Sequence, residues 1–463
     1  MDSFQPGSTS AWREYKADIK KVIITGDVIS IGGYAFSGCT GLRDVTISDR
    51  VTVIGRNAFS GCGFTAINIP DSVTNIGGSA FEHCYSLESI TLPKGLRVIG
   101  GGLFRGCIRL ESITLPDAVT DIGSSAFSSC ISLTGITIPD GVTRIGESVF
   151  YNCRSLTDIT VPGSVYSIEN TAFWCCHSLA SVTVLDGVSE IGTYAFSECT
   201  DLTSITLPDS IFSIDENAFS NCSSLASVTL PDGLISITGA AFSGCESLTE
   251  ITIPRSVSSL NTGAFSHCSS MQSINVEEGN AQYSSRDGFL FDKAGTVLMR
   301  CPGAKVNVTV QSWVTEIGAC AFSGCKKLTS VTIPSSVRSI GDQAFSGCEK
   351  LTGITIPNGV TSIGEYIFAE CWNLTNITLP NSLTAMGDGA FHGCESLESI
   401  TIPRSVTDIG YDVFFRCDKL VVVYCYSGSY AEEYASILGI PYAHITKEGS
   451  IENSTGCSAT TEY

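Results

Sequence analysis

The chain has 463 residues, of which 43% are hydrophobic and only 16% are charged. This apolar content excludes an intrinsically disordered chain, because disordered segments carry too few apolar side chains to form a core. An excess of 46 acidic over 26 basic residues gives a net charge of −20, which argues against nucleic acids and anionic membranes as partners.

The N-terminal segment, residues 1–18, is predicted to form a cap in which Trp12 and Tyr15 cover the first rung of the core. Its opening, MDSFQPGSTS, has neither the basic start nor the apolar segment of a secretory signal peptide. The longest apolar stretch of the chain, residues 420–426, is far shorter than the ~18 residues of a transmembrane helix, so no membrane insertion is predicted.

From residue 19 onward, a Phe-x-x-Cys pattern recurs with a step of 23 residues, apart from one step of 22 between Phe59 and Phe81 and a gap of 57 between Phe265 and Phe322. Self-similarity at such a period is typical of solenoid proteins. The Phe of the 16 units stands at positions 36, 59, 81, 104, 127, 150, 173, 196, 219, 242, 265, 322, 345, 368, 391 and 414.

Each unit contains two predicted strands and a turn. Apolar and polar residues alternate at the end of 351–357, LTGITIP, which predicts a strand that the Pro ends. The next piece, 360–364, predicts a short strand followed by a Gly that recurs in 12 of 16 units and is predicted to have a positive φ. Glu169 and Thr238 replace this Gly and predict local distortion. The segment leading to Phe-x-x-Cys is predicted to be one short helical turn.

One such unit cannot bury its own apolar face, whereas stacked units form a continuous core. We therefore predict one elongated α/β solenoid of about 17 rungs of 23 residues, with parallel strands stacked about 4.8 Å apart and short helical turns. Two repeat stacks, 19–276 and 309–427, flank an insert at 277–308. The insert is predicted to contain a β-hairpin with strands at 289–291 and 296–299.

The C-terminal part is predicted to close the second stack. Residues 428–445 predict a capping helix and a final strand. Ser429 and Glu432 form a capping box at the start of this helix, and Gly439 ends it. Residues 446–463 are polar and rich in Gly, Ser and Thr, which predicts a disordered tail.

Residues 136–153, ITIPDGVTRIGESVFYNC, are a representative copy of the sequence pattern that repeats over 19–445. This pattern resembles the BspA-like (Treponema pallidum-type) leucine-rich repeat family. The resemblance implies a right-handed leucine-rich repeat solenoid. It also implies a cell-surface or secreted location, because known members are largely surface or secreted proteins of bacteria and some protists, and several are adhesins. A cytoplasmic location is the alternative, since no signal peptide is visible.

Cysteine is abundant, and 16 of the 21 Cys occupy one repeat position. An apolar position of this kind predicts small buried hydrophobes, although neighbouring rungs would also bring Cys backbones into disulfide range. Cys175 and His177 resemble a nucleophile with its base, but they flank the repeat residue Cys176 and are explained by the repeat. Zinc-ligand spacings and nucleotide-binding or hydrolase motifs are absent from the sequence, so we predict no catalytic residue, no cofactor and no metal.

The outward central position of the longer strand is Thr in most units. The structural interpretation is that Thr stabilises an exposed strand, and the functional interpretation is a hydroxyl-rich recognition face. The predicted binding residues are Thr114, Thr137, Thr160, Thr183, Thr206, Thr229, Thr252, Thr332, Thr355, Thr378 and Thr401.

The function predicted from these features is non-enzymatic protein binding through the extended sheet face. By resemblance, the partners are host matrix or neighbouring-cell proteins, and the protein is an adhesin. A glycan is the alternative ligand. An intracellular leucine-rich repeat scaffold for protein–protein interaction is the alternative function.

Overall fold

The repeat folds into a parallel-strand solenoid of about 18 turns with very little helix, which confirms the predicted class of fold. This computed structural model describes residues 13–445. The predictions for Trp12 and for the tail at 446–463 lie outside the described residues. The chain divides into two units, 1–245 and 246–463, and each is described by itself.

In the first unit, most rungs add one strand to each of two sheets, the main sheet and the side sheet. The rungs of Thr114 and Thr137 contribute only an isolated parallel bridge, Ser112 with Gly135, at the main-sheet position. The main-sheet strands are Lys21–Ile24, Asp44–Ile47, Ala66–Asn68, Ser89–Thr91, Asp158–Val161, Ser181–Val184, Ser204–Thr206 and Ser227–Thr229. The side-sheet strands are Ser30–Ile31, Val53–Ile54, Asn75–Ile76, Val98–Ile99, Asp121–Ile122, Arg144–Ile145, Ser167–Ile168, Glu190–Ile191, Ser213–Ile214 and Ser236–Ile237. A 3-10 helix, Arg13–Tyr15, precedes them.

The second unit repeats this arrangement. Its main-sheet strands are Glu250–Ile253, Ser273–Val276, Asn307–Thr309, Ser330–Thr332, Gly353–Thr355, Asn376–Thr378, Ser399–Thr401, Val422–Cys425 and Tyr442–His444. Its side-sheet strands are Ser259–Leu260, Glu316–Ile317, Ser339–Ile340, Ser362–Ile363, Ala385–Met386 and Asp408–Ile409. The insert strands are Tyr283–Arg286, Phe289–Asp292 and Val297–Arg300, and the helices are Thr262–Phe265, which is 3-10, and Tyr430–Ile437, which is α.

The core of each unit is built from the same side chains in every rung. In the first unit, the Phe rings stack with centroids 5.0 to 5.8 Å apart and planes within 19° of parallel. In the second unit, the rings from Phe322 to Phe414 are 4.8 to 5.7 Å apart. These separations are within the favourable range for offset aromatic pairs. Stacking therefore buries the apolar face that a single rung leaves exposed.

The repeat Gly that follows the side-sheet strand does not have the predicted positive φ. A Cβ atom on Gly55 would lie 2.5 Å from the backbone nitrogen of Gly33, and one on Gly341 would lie 2.5 Å from that of Ala319. The backbones of adjacent rungs approach too closely here for a side chain, and this approach is the reason for Gly.

In the unit that carries Thr238, the left-handed residue is Gly239, with a φ of 45°, instead of the residue two positions after the repeat Gly, but the rung-to-rung hydrogen bond is kept. Neither Glu169 nor Thr238 has a positive φ. The Thr238 N–H donates to the Ile214 carbonyl at 3.0 Å, just as the Gly192 N–H donates to Ile168 at 2.9 Å. The hydrogen-bond ladder therefore continues through the unit that carries Thr238.

Left-handed backbone occurs instead in the segment predicted to be a helical turn. One such position lies two residues after the repeat Gly, as at Asn57, and another directly precedes every repeat Cys. Two left-handed residues per rung give a series of tight turns, and only Thr262–Phe265 in this segment is 3-10 helical. The residues before the repeat Cys are Gly38, Gly61, His83, Gly106, Ser129, Asn152, Cys175, Glu198, Asn221, Gly244, His267, Gly324, Gly347, Glu370, Gly393 and Arg416, and we call them the left-handed column.

The insert contains the predicted hairpin and one strand more. Phe289–Asp292 pairs antiparallel with Val297–Arg300 and, on its other side, with Tyr283–Arg286, which the sequence analysis did not predict. Val297–Arg300 then pairs in parallel with the side-sheet strand Glu316–Ile317. The hairpin thereby takes the place of a rung at the edge of the side sheet.

A buried arginine fastens this insert to the rungs around it. Arg300 is 1% exposed. Its guanidinium donates to the carbonyls of Phe265, Cys320 and Ser323, and to the hydroxyl of Ser266 at 3.3 Å. The five donors of a guanidinium allow one side chain to satisfy several buried carbonyls.

We expect Arg300→Met to lower the free energy of unfolding of the second unit by about 3 kcal/mol, because three buried carbonyls lose their donor. Arg300→Lys should fail to restore stability, since one ammonium cannot reproduce the fork of a guanidinium. Urea unfolding followed by circular dichroism measures both. Arg286→Met is the matched control, because Arg286 is exposed and its guanidinium stacks on the Trp313 ring. Equal stability of the Arg300→Met and Arg286→Met variants would contradict this role.

The caps differ in how well they match the prediction. Tyr15 is 59% exposed, so it does not cover the first rung as predicted. At the other end, Ser429 caps the helix Tyr430–Ile437 by accepting from the Glu432 N–H. The Glu432 carboxylate accepts from the Gly428 N–H at 2.7 Å, one residue before the position expected for a capping box.

Candidate functional site

The predicted binding threonines lie on the exposed face of the main sheet. Successive side chains of a strand point to opposite faces, and in Asp158–Val161 they alternate between exposed and buried. Ile159 and Val161 therefore enter the core while Thr160 faces outward. All of the predicted residues are exposed, namely Thr114, Thr137, Thr160, Thr183, Thr206, Thr229, Thr252, Thr332, Thr355, Thr378 and Thr401. We call them the Thr face, separately in each unit.

Strand pairing aligns these threonines in the first unit. Thr160 pairs with Thr183, Thr183 with Thr206, and Thr206 with Thr229. Neighbouring strands of a sheet are about 4.8 Å apart, so the hydroxyls form a regular row at that spacing. In the second unit, Thr355 pairs with Thr378.

A second column of threonines, three residues before the Thr-face positions, makes hydrogen bonds that link adjacent rungs. The Thr157 hydroxyl donates to the Thr134 carbonyl at 3.1 Å, and the Thr375 hydroxyl donates to the Thr352 carbonyl at 3.0 Å. Such bonds recur at Thr203 and Thr329. Within residues 13–445, in contrast, no hydrogen bond inside the chain engages a Thr-face hydroxyl. The Thr face therefore keeps its donors and acceptors for solvent or a ligand.

A shallow groove opens on the Thr face of the first unit. It has a volume of about 460 Å³ and lies between neighbouring rungs at Thr91 and Thr114. Ile90, Lys94 and Asp117 also line it, so apolar and charged groups of both signs surround the hydroxyls. This composition suits contact with a polypeptide, which presents apolar side chains and backbone amides together.

The repeat cysteines prove to be hydrogen-bond donors as well as buried side chains. The Cys222 thiol donates to the carbonyl of Phe196 in the preceding rung, with sulfur and oxygen 3.1 Å apart. The same bond links Cys153 to Phe127. Burial raises the pKa of the Cys153 and Cys222 thiols to about 12. No disulfide joins the 20 cysteines within residues 13–445, so core packing and this bond account for the repeat position.

The structure brings together three chemically active side chains that the sequence analysis did not connect. Cys175 and His177 lie beside Glu198 of the next rung. Within residues 13–445, they form the one group of three Cys, His, Asp or Glu side chains close enough to share a metal ion. The 23-residue repeat already indicated that Cys175 and Glu198 lie close together, because positions 23 residues apart are neighbours in a stack.

No helix within residues 13–445 has the length and apolar character needed to cross a membrane. The fold and the exposed sheet face together define a leucine-rich repeat solenoid. More narrowly, the chain belongs to the BspA-type leucine-rich repeat family. The model of this family, described as BspA type leucine-rich repeat region, matches residues 10–134, 74–203, 189–289 and 299–421.

Solved structures that resemble the chain come from several bacteria. A leucine-rich repeat protein of Bacteroides ovatus is 28% identical over 87% of this chain and 91% of its own, with a TM-score of 0.53. A leucine-rich cell surface protein of Faecalibacterium prausnitzii is 28% identical over 94% and 97%, with a TM-score of 0.48. The leucine-rich repeat protein of T. pallidum is 29% identical over 42% and 77%, with a TM-score of 0.29.

Comparison with curated proteins finds no match. Leucine-rich repeat solenoids generally bind other proteins and are generally non-enzymatic scaffolds. These properties agree with the exposed hydroxyls of the Thr face in each unit.

Proposed function

We propose that the chain is a non-enzymatic adhesin, at the cell surface or secreted, that binds host matrix or neighbouring-cell proteins through the Thr face. The observation that carries this proposal is the contrast between the two threonine columns. The hydroxyls of one column donate rung-to-rung hydrogen bonds, as at Thr157, whereas the aligned hydroxyls from Thr160 to Thr229 have no partner among residues 13–445.

The rigidity of the face supports binding by many weak contacts. Thr183 and Thr206 belong to strands that are paired on both sides, so their backbone is ordered before a ligand arrives, and little conformational entropy is lost on binding. A single hydroxyl contributes only about 0.5–1.5 kcal/mol of net hydrogen-bond free energy. A partner must therefore extend across several rungs, and an extended protein surface does so.

Charge on the same face favours a partner with basic groups. Asp158 and Glu250 are exposed at the start of their strands, two residues before Thr160 and Thr252. The chain as a whole carries a net charge of −20. Electrostatic complementarity of this kind accelerates encounter with a basic protein surface.

A glycan is the weaker alternative as a ligand. Sugar rings are commonly bound against aromatic side chains, and the Thr face presents hydroxyls at almost every rung. Tyr424 in Val422–Cys425 is an aromatic side chain at the equivalent strand position, and it pairs with Thr401. The Thr face therefore favours a protein ligand.

An intracellular scaffold for protein–protein interaction is the second candidate function. The observation that favours it is that no disulfide joins the 20 cysteines within residues 13–445, since thiols persist most readily in reducing compartments. Burial offers the adhesin an equivalent explanation, because buried thiols are shielded from oxidants. The location of the protein decides between the two candidates.

Brief protease treatment of intact cells of the native host, followed by identification of the released peptides, measures that location. We expect peptides from residues 65–250, most of which belong to the first unit, to be released from intact cells. Lysed cells are the control for total protein, and a cytosolic enzyme is the control for leakage. Peptides found only after lysis would contradict the adhesin and favour the scaffold.

A further inference from the structure

Cys175, His177 and Glu198 form a compact cluster on the turn side of the first unit. The Cys175 sulfur lies 3.4 Å from the Glu198 Oε2 atom, and the His177 Nε2 atom lies 4.0 Å from the same oxygen. All three ligand atoms lie within 4.8 Å of one another. The repeat does not require this cysteine, because the repeat thiol of that rung is Cys176, which donates to the Phe150 carbonyl.

The backbone holds this cluster in place. Cys175 and Glu198 both belong to the left-handed column, with φ of 62° and 59°, so their side chains leave equivalent positions of adjacent rungs. The Cys175 N–H donates to the Ser197 carbonyl and the Glu198 N–H to the Ser220 carbonyl, at 3.0 and 2.8 Å. The three groups are therefore fixed by the ladder that orders the solenoid.

The separations match those of a zinc site closely. Zinc binds sulfur at about 2.3 Å and histidine nitrogen or carboxylate oxygen at about 2.0–2.2 Å, so tetrahedral ligand atoms lie roughly 3.5 Å apart. The Cys175 sulfur already lies at this spacing from Glu198, and the other pairs of ligand atoms need contractions of at most about 1.3 Å to reach it. Rotation of half-exposed side chains supplies such movements without displacing the backbone.

We propose that Cys175, His177 and Glu198 bind one divalent zinc ion through sulfur, imidazole nitrogen and carboxylate oxygen. This mixed set of soft and borderline ligands suits zinc better than calcium or magnesium, which prefer oxygen alone. A thiolate and a carboxylate together neutralise the charge of the ion. The fourth position stays open to water or to a ligand from a bound partner.

Access agrees with a site that is loaded from solution. The side chains of His177 and Glu198 are 37% and 42% exposed, so an ion reaches them directly. Burial and the neighbouring Glu198 raise the pKa of Cys175 to about 11, so its thiol is protonated at neutral pH without the ion. Zinc binding forms the sulfur–metal bond and releases that proton to water.

Titration of the reduced full chain with Zn²⁺ in a calorimeter tests the proposal, and Co²⁺ provides a spectroscopic readout of thiolate ligation. We expect one ion per chain and a thiolate-to-cobalt charge-transfer band. Cys175→Ser should abolish the band, and His177→Gln and Glu198→Gln should each weaken binding at least tenfold. Cys320→Ser is the matched control, because Cys320 is a half-buried cysteine outside the repeat position.

Two results would overturn the site. One is a wild-type chain that binds no Zn²⁺, and the other is a Cys175→Ser chain that binds Zn²⁺ and Co²⁺ as the wild type does. Melting curves recorded without metal establish that each variant is folded. Glu198→Gln changes one atom of a half-exposed side chain, so it tests the site even where substitution of Cys175 disturbs the turn.

Discussion

The folded chain is expected to lose stability steeply above pH 9, because its core thiols resist ionisation. Burial raises the pKa of Cys107, Cys153 and Cys222 to about 12, from an ordinary value of 9.0. Between these values, the unfolded chain releases protons that the folded chain retains, so the free energy of unfolding falls as pH rises. Below pH 9 both states keep the thiols protonated, and the effect vanishes.

The repeat makes this effect large. Each thiol lowers the free energy of unfolding by about 1.4 kcal/mol per pH unit in this window. These three thiols together therefore lower it by roughly 4 kcal/mol for each pH unit. Burial also raises the pKa of Cys130, Cys199 and other repeat cysteines. Typical domains have only about 5–15 kcal/mol of stability. We therefore expect cooperative alkaline unfolding near pH 10.

Urea unfolding of the reduced chain at several pH values between neutrality and about pH 10 measures this dependence. Cys222→Ala is the informative variant, because it removes one titrating thiol and should reduce the slope by about 1.4 kcal/mol per pH unit. A free energy of unfolding that stays constant across this range would show that the thiols do not titrate differently in the two states.

Phe219→Ala is expected to lower the free energy of unfolding of the first unit by roughly 3–5 kcal/mol, as deletion of a core Phe does. The Phe219 ring is fully buried, and its centroid lies 5.3 Å from that of Phe196 and 5.2 Å from that of Phe242. Its removal leaves a cavity between two rings that the stacked backbones cannot close.

Thermal and urea melting of the variant measure this loss. Ile235→Ala is the matched control within the same unit, because the Ile235 side chain is 50% exposed and its truncation leaves no cavity. Similar melting of the two variants would mean that the Phe stack contributes little and that the rungs are held chiefly by their backbone ladders.

The periodic part of this fold is predictable because equivalent positions of successive rungs pack in the same way. The spacing of Phe36, Phe59 and their successors identifies core positions directly, since a residue that recurs every 23 positions meets its own copies. Alternation around Thr160 likewise places one side of the strand in the core and the other in solvent.

Conformation within the rung is harder to predict, because Gly satisfies two different needs. At Gly55 it permits close approach of Gly33, whereas at Gly61 it permits a φ of 69°. The sequence shows Gly at both positions without saying which need applies. The sequence nevertheless indicated the second need, since Gly, Asn and His, which tolerate left-handed backbone, occupy 11 of the 16 positions directly before the repeat Cys.

Features that break the period escape sequence analysis for a different reason. Arg300 is buried because four acceptors around the insert converge on it, and no local pattern encodes that convergence. The cluster of Cys175, His177 and Glu198 was accessible in principle, because Cys175 and Glu198 are one period apart. The repeat explained each of these residues separately and so concealed their proximity.

The central claim, protein binding through the Thr face, is tested most directly by placing charge on that face. Purified chains carrying Thr183→Arg and Thr206→Arg together would be compared with wild type for binding to immobilised matrix proteins and to intact cells. The control carries Tyr166→Arg and Ile235→Arg, which add the same charge at exposed positions beside the side sheet.

We predict that the Thr183→Arg, Thr206→Arg chain loses at least tenfold in affinity, about 1.4 kcal/mol or more, while the control binds as the wild type does. Bulky charged groups at paired positions of adjacent strands would obstruct a partner that lies across the rungs. Equal binding by the two double variants would contradict the Thr face as the binding surface.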